Sequence, residues 1–165
     1  MDRLWTPWRY HYITKSSPVV GCIFCAKAED STRDDENLVV HRGECGFVLL
    51  NLFPYSCGHL MIAPYEHVDS LAAASEESAT DLMAMARKSE RVLRDVYRCP
   101  GLNLGMNLGV SAGAGVAGHI HLHVVPRWPG DANFMTTTAE TRVLPEDLSV
   151  TLARVRAGWR GLHPQ

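Results

Sequence analysis

His119, His121 and His123 take alternate positions in an apolar run completed by Ile120, Leu122, Val124 and Val125. A strand repeats every two residues, so this spacing predicts three imidazoles on one face and the apolar side chains on the other. Neutral imidazole is a nucleophile near pH 7 and a carrier of protons. Immediately before the row runs a stretch of small residues, Ser111-Ala112-Gly113-Ala114-Gly115-Val116-Ala117-Gly118. Backbone so thinly covered can offer its N–H groups to an anion. Together the two features predict chemistry on a nucleotide or another phosphate ester. Either alone carries less: a lone histidine is more often structural, and the loop precedes a strand and lacks the Lys and Ser/Thr of a P-loop.

One metal does not explain the row. Its outer members are separated by about 13 Å of extended strand, too far for three rings to converge on one ion through bonds of about 2 Å. A division of labour fits better, with the middle ring as nucleophile and its neighbours holding its tautomer, a metal or a substrate oxygen. A separate metal element is Cys22-Ile23-Phe24-Cys25, a Cys-x-x-Cys knuckle that supplies two ligands and leaves two to be found. Redox chemistry is the rival reading, but the sequence gives no clear helix for the motif to open. Two buried structural cysteines is the other rival. Cys45, Cys57 and Cys99 have no spacing signature and read as buried small hydrophobes.

The elements that must position these groups follow from pattern. Strands are expected at 38–41, 47–52 and 59–63, with turns at 42–44 and 54–58, and again at 102–108 and 119–126. Residues 75–97 read as a helix, with Ser75 as N-cap, Glu76 and Glu77 in the first turn, and Leu82, Met85, Ala86, Leu93 and Val96 along one face. The Met83-Ala84-Met85 stripe reads as core, and Cys99-Pro100-Gly101 stops the helix. A shorter helix is expected from Pro145 to about residue 158, with the proline at its start. Residues 30–37 are charged and read as a loop. Hairpin-joined strands with helices grouped elsewhere describe an α+β domain on an antiparallel sheet.

Length and charge set bounds. At 165 residues the chain is most simply one domain, with an arm at 1–36, a core at 37–135 and a C-terminal extension at 136–165. A formal net charge of −2 argues against a long nucleic-acid footprint, so an anionic ligand must be attracted locally. No apolar run approaches membrane-spanning length, and Met1-Asp2-Arg3-Leu4-Trp5 has no signal core. Five cysteines, an odd count, then point to reduced thiols and a cytoplasmic location.

Gly118-His119-Ile120-His121-Leu122-His123-Val124-Val125-Pro126-Arg127 resembles the histidine triad (HIT) motif, His-φ-His-φ-His-φ-φ with φ apolar. The resemblance runs through Asn51, Gly58-His59-Leu60-Met61-Ile62-Ala63-Pro64, residues 101–109 and Trp128-Pro129-Gly130-Asp131-Ala132-Asn133-Phe134-Met135, covering nearly the whole chain. With the Leu4-Trp5-Thr6-Pro7-Trp8-Arg9 opening, it is similar to the bacterial branch related to diadenosine tetraphosphate phosphorylases and hydrolases. This resemblance implies a HIT-like antiparallel sheet with one long and one short C-terminal helix. It also implies a homodimer that extends the sheet, to be sought at the long helix and at 102–108. By the same resemblance His121 attacks an α-phosphorus to form a covalent nucleotidyl-histidine, His123 touches the phosphate and leaving-group side, and His59 lines the same pocket. Asn51 would bind ribose hydroxyls, Asn107 the phosphates or ribose, and the backbone N–H groups of Ala114, Gly115, Val116 and Ala117 the transferred phosphate.

Similarity to zinc-containing HIT proteins implies His67 and His119 as the partners of Cys22 and Cys25. That would be a closed structural zinc site stabilising the N-terminal arm, with His41 as the competitor of His67. The chain departs from the family where Gln, Ser or Thr often precedes the triad, here Gly115, Val116 and Ala117, and at Gly118, where an acidic residue is frequent. Both bear on leaving-group specificity. The function so implied is a nucleotidyl hydrolase or transferase acting on dinucleoside polyphosphates, with magnesium shielding the leaving polyphosphate and water or phosphate as acceptor. A nucleoside phosphoramidase, a nucleoside-monophosphate transferase, a nucleotide-binding protein with little turnover and a zinc-stabilised interaction module are the alternatives. Arg127 is either a phosphate ligand or an exposed strand-end residue, and Trp5, Trp8 and Trp128 read as packing residues.

Overall fold

The structure, a computed structural model, describes residues 21–131 and 146–162. Expectations for Trp5, Trp8 and the rest of the arm before residue 21, and for the helix start at Pro145, lie outside the described residues. In chain order the elements are α1 (Ile23–Glu29), β1 (Val39–Arg42), β2 (Gly46–Leu50), β3 (Leu60–Pro64), α2 (Glu76–Tyr97), β4 (Gly101–Met106), β5 (Leu122–Arg127) and α3 (Leu148–Arg160). Short 3₁₀ turns lie at Ser31–Arg33, within the expected loop, and at Val110–Ala112. The strands form one antiparallel sheet in the order β1-β2-β3-β5-β4, the α+β arrangement expected.

Alternation along the strands gives the sheet two different faces. Val48, Leu50, Leu60, Ile62, Leu122 and Val124 pack against the long helices, meeting Leu82, Met85 and Leu93 of α2 and Leu152 and Val155 of α3. Each such buried side chain is worth about 1.5–3 kcal/mol. Phe47, Leu49 and Ala63 face the other way and pack with Phe24 of α1. His123 stands across from Met61, which packs against this second cluster, so the histidine face is the one that α1 covers.

The helix α2 begins where the sequence places it. The Ser75 hydroxyl accepts the Ser78 N–H at 3.2 Å, and Glu76 and Glu77 sit in the first turn. Met83 corrects the expected core stripe: it is 55 % exposed while Met85 is buried, since residues two apart on a helix point to different sides. α3 crosses α2 at Gly158, where an added Cβ would lie 2.7 Å from Val96 Cγ2 and 3.0 Å from Val92 Cγ1. A side chain there would collide.

Three further expectations change. The strand expected at 119–126 begins only at Leu122. Ile120 instead donates its N–H to the Val68 carbonyl at 2.8 Å, so residues 119–121 run outside the ladder. The Cys-x-x-Cys motif does open a helix: Cys22 is the N-cap of α1. That helix is only seven residues long, and Arg42 closes its far end by donating to the carbonyls of Lys27 at 2.7 Å and Ala28 at 2.9 Å while pairing with Asp34. A helix this short depends on such tertiary partners, which local pattern does not reveal. Finally, Cys99 is buried, but Cys45 and Cys57 are only half-buried.

Candidate active site and metal centre

The loop between β2 and β3 folds back to deliver His59. Gly58 takes φ +77°, and a Cβ there would press on Tyr97 Cε2 at 2.9 Å, so both conformation and space require glycine. Ser56 Oγ donates to the Pro126 carbonyl at 2.8 Å, pinning the loop to β5. His59 and His123 then meet ring to ring at 5.2 Å, and His123 and His121 at 4.9 Å. The three expected catalytic histidines thus form one contiguous group. Tyr55 closes it from above, 4.8 Å from the His59 ring.

Hydrogen bonds fix the tautomers, because a carbonyl can only accept and a backbone N–H can only donate. His121 Nδ1 lies 3.0 Å from the His119 carbonyl oxygen, so Nδ1 carries the proton and Nε2 keeps its lone pair. Tyr55 donates its N–H to His59 Nδ1 at 3.1 Å, which leaves the proton of a neutral His59 on Nε2. That Nε2 lies 3.0 Å from His123 Nδ1, so His123 accepts there and carries its own proton on Nε2. Burial favours the neutral form of His121 and of His123. It pushes the His121 pKa down against the bond to His119, and it drives His123 down to about 4 with help from repulsion by His121. His121 is 6 % exposed and packs against Phe24 at 4.8 Å.

A cleft of about 340 Å³ opens beside His123. Tyr55, Asn107, His123, Asn103, Arg127 and Asp131 line it. Asn107, expected at the phosphates or ribose, is among these lining residues. Asn51 is turned to the histidines: its Oδ1 accepts the Phe53 N–H at 3.0 Å and its Nδ2 approaches His59 Nδ1 at 3.4 Å, bracing that ring. Ala114 gives its N–H to the Gly109 carbonyl at 3.3 Å, and Val116 packs on the Phe24 cluster. Gly115 and Ala117 flank Val116, and none of these four lines the cleft. Asn103 and Asp131 lie in stretches that carry the resemblance, but their place in the cleft, like that of Tyr55, is not legible in sequence, because a neutral amide, a loop carboxylate and a backbone N–H have no spacing signal of their own. Phe24 hides between the two cysteines in the same way.

On the far side of Phe24 the four expected metal ligands converge. Cys22, Cys25, His67 and His119 place their ligand atoms within 4.8 Å of one another. His119 Nδ1 lies 3.3 Å from Cys22 Sγ and 3.6 Å from Cys25 Sγ, and His67 Nδ1 lies 3.3 Å from Cys25 Sγ. Tetrahedral bonds of 2.0–2.3 Å imply ligand separations of roughly 3.3–3.8 Å. The donor set fits. His119 Nε2 sits 2.9 Å from the Pro64 carbonyl, so it carries the proton and Nδ1 turns its lone pair to the sulfurs. His41, the competing ligand, stacks on Trp159 instead, with ring centroids 4.9 Å apart.

Comparison with known proteins agrees with this fold. The family profile described as HIT domain matches residues 32–130. An AP-4-A phosphorylase of Mycobacterium tuberculosis is 40% identical over 168 residues, spanning 96% of this chain and 85% of that protein. An asymmetrical bis(5'-nucleosyl)-tetraphosphatase of Schizosaccharomyces pombe is 32% identical over 93 residues, 56% of this chain and 50% of its own length. Among solved structures, a Zn-bound histidine triad family protein from Mycobacterium smegmatis superposes with a TM-score of 0.69 at 27% identity, covering 85% of this chain and 94% of that one.

Proposed function

This chain belongs to the HIT family, and we propose that it cleaves dinucleoside polyphosphates such as diadenosine tetraphosphate at an α-phosphate through a nucleotidyl-His121 intermediate. The observation that carries this reading is the bond from His121 Nδ1 to the His119 carbonyl. It leaves Nε2 as the attacking atom, and it spreads the positive charge that appears on the ring once Nε2 is bonded to phosphorus. Attack by the Nε2 lone pair forms the N–P bond as the P–O bond to the polyphosphate breaks. His123, held by His59 and through it by the Tyr55 N–H, keeps its proton on Nε2 and would donate a hydrogen bond to the departing oxygen, which leaves with the electron pair as a polyphosphate anion. The acceptor then attacks the same phosphorus and returns the electron pair to His121. We take phosphate as that acceptor, because the relative matched over 96% of the chain is an AP-4-A phosphorylase. Magnesium would arrive with the polyphosphate.

Zinc is the metal proposed for Cys22, Cys25, His67 and His119, since two thiolates and two imidazoles in tetrahedral reach suit it. Bound there it would tie α1 to the triad, and with four protein ligands it would leave no position for substrate. We further propose that residues 1–165 act as one domain, with Asn51, Asn107 and the backbone at 114–117 at the nucleotide, and that the free edge of β4 pairs with a second copy.

Rapid quenching with α-labelled diadenosine tetraphosphate tests the mechanism. The native chain should retain label that acid releases and base does not, and His121→Gly should retain none while keeping its fold. Product analysis with phosphate present should give ATP and ADP. Turnover by His121→Gly at the native rate would remove His121 as nucleophile, and ATP with AMP under the same conditions would make water the acceptor.

A further inference from the structure

The far end of the cleft is unused by the mechanism above. Past His123 it continues along β5 to Arg127, four residues and about 13 Å of strand away. On β4, Gly105 stands across from His123 and Asn103 across from Val125, so both border the same path. Arg127 is held firmly at its end. Its Nε and Nη2 donate to the Asp131 carboxylate at 2.5 and 2.8 Å, and its Nη1 donates to Asn103 Oδ1 at 2.6 Å. Asp131 is itself fixed by the Trp128 N–H at 3.2 Å.

A guanidinium has five N–H groups, and these bonds use three of them. Among the described residues, one N–H on each terminal nitrogen is left for a ligand. Both side chains line the cleft, and that of Arg127 is 47% exposed against 18% for Asp131, so the guanidinium is the more accessible of the pair. For stability such a surface pair is worth about 0–1 kcal/mol, a weak reason for so constrained an arginine. For recognition it is well suited: a planar donor pair, pre-oriented, matches phosphate oxygens.

From this geometry we infer that Arg127, positioned by Asp131 and Asn103, binds the distal phosphates of the leaving group and selects substrates by polyphosphate length. The inference rests on the reading that the polyphosphate departs from His121 past His123. A short leaving group ends beside His123. A longer one extends along the cleft and meets the guanidinium.

The test compares diadenosine tetraphosphate with the p-nitrophenyl ester of AMP, which delivers the same nucleotidyl group from a leaving group without phosphates. In Arg127→Gln the ratio of kcat/KM for tetraphosphate over ester should fall about tenfold or more, the scale of a lost charged hydrogen bond, chiefly through KM. Arg127→Lys should recover part of that ratio, and Asp131→Asn should lose part of it by releasing the arginine. The ester rate also reports whether each variant is folded. A ratio unchanged in Arg127→Gln, with the native chain active on both substrates, would overturn this inference and leave the proposed function standing. A native chain that cleaves neither substrate would overturn both.

Discussion

His123, in the role proposed for it, would serve chemistry and tax stability together. In the folded chain it titrates near 4 in place of the usual 6.5, because burial and the neighbouring His121 disfavour its charged form. Between pH 6.5 and 4 the unfolded chain therefore takes up a proton that the folded chain refuses. Its contribution to stability is intact above 6.5, drains away as pH falls, and bottoms out near 4. Thermal melts across that window should show a falling melting temperature in the native chain and a shallower fall in His123→Asn. A parallel slope in the variant would assign the acid sensitivity to other groups. How much of this site is legible in sequence depends on the kind of signal. The alternating row names His121 and His123 directly, since period 2 is a property of residue types. Tautomers are not, because they are set by the Tyr55 N–H and the His119 carbonyl, atoms that every residue possesses.

Among the elements, α2 is the most readable, with a serine cap, an acidic first turn and a periodic apolar face all agreeing. α1 is the least, being short and held by Arg42 from a neighbouring strand. The crossing of α2 and α3 depends on a position that propensity alone would misjudge. Alanine is normally preferred to glycine inside a helix by about 0.5–1 kcal/mol, yet at Gly158 a methyl group would strike Val96 and Val92. Gly158→Ala should thus destabilise by about 1–3 kcal/mol, the usual cost of overpacking. Urea melts of the two proteins measure this. An equal or higher midpoint in the variant would mean that the helices separate at little cost. Because α3 also anchors β1 through the bond from Arg156 Nε to the Val39 carbonyl at 2.9 Å, the loss should be global rather than local fraying.

At the scale of the whole molecule, the proposed metal site and the proposed active site are built around the same short helix. Phe24 stands between them, 5.2 Å from the His119 ring and 4.8 Å from the His121 ring. Removal of the proposed zinc with a chelator should lower the melting temperature by at least about 5 °C, given about 2–4 °C per kcal/mol for a chain of this size. Metal analysis should return one zinc per chain before treatment, and an unchanged melt after its removal would make the four ligands a packing cluster only. The described residues contain no helix long and apolar enough to cross a membrane.

Residue 119 has a double assignment: its ring turns toward the cysteines while its main-chain oxygen accepts from Nδ1 of His121, the proposed nucleophile. Alanine scanning can delete the first and never the second, since every amino acid brings that oxygen. Whatever reactivity His119→Ala forfeits would therefore record how far a single carbonyl drifts once its own imidazole no longer moors it.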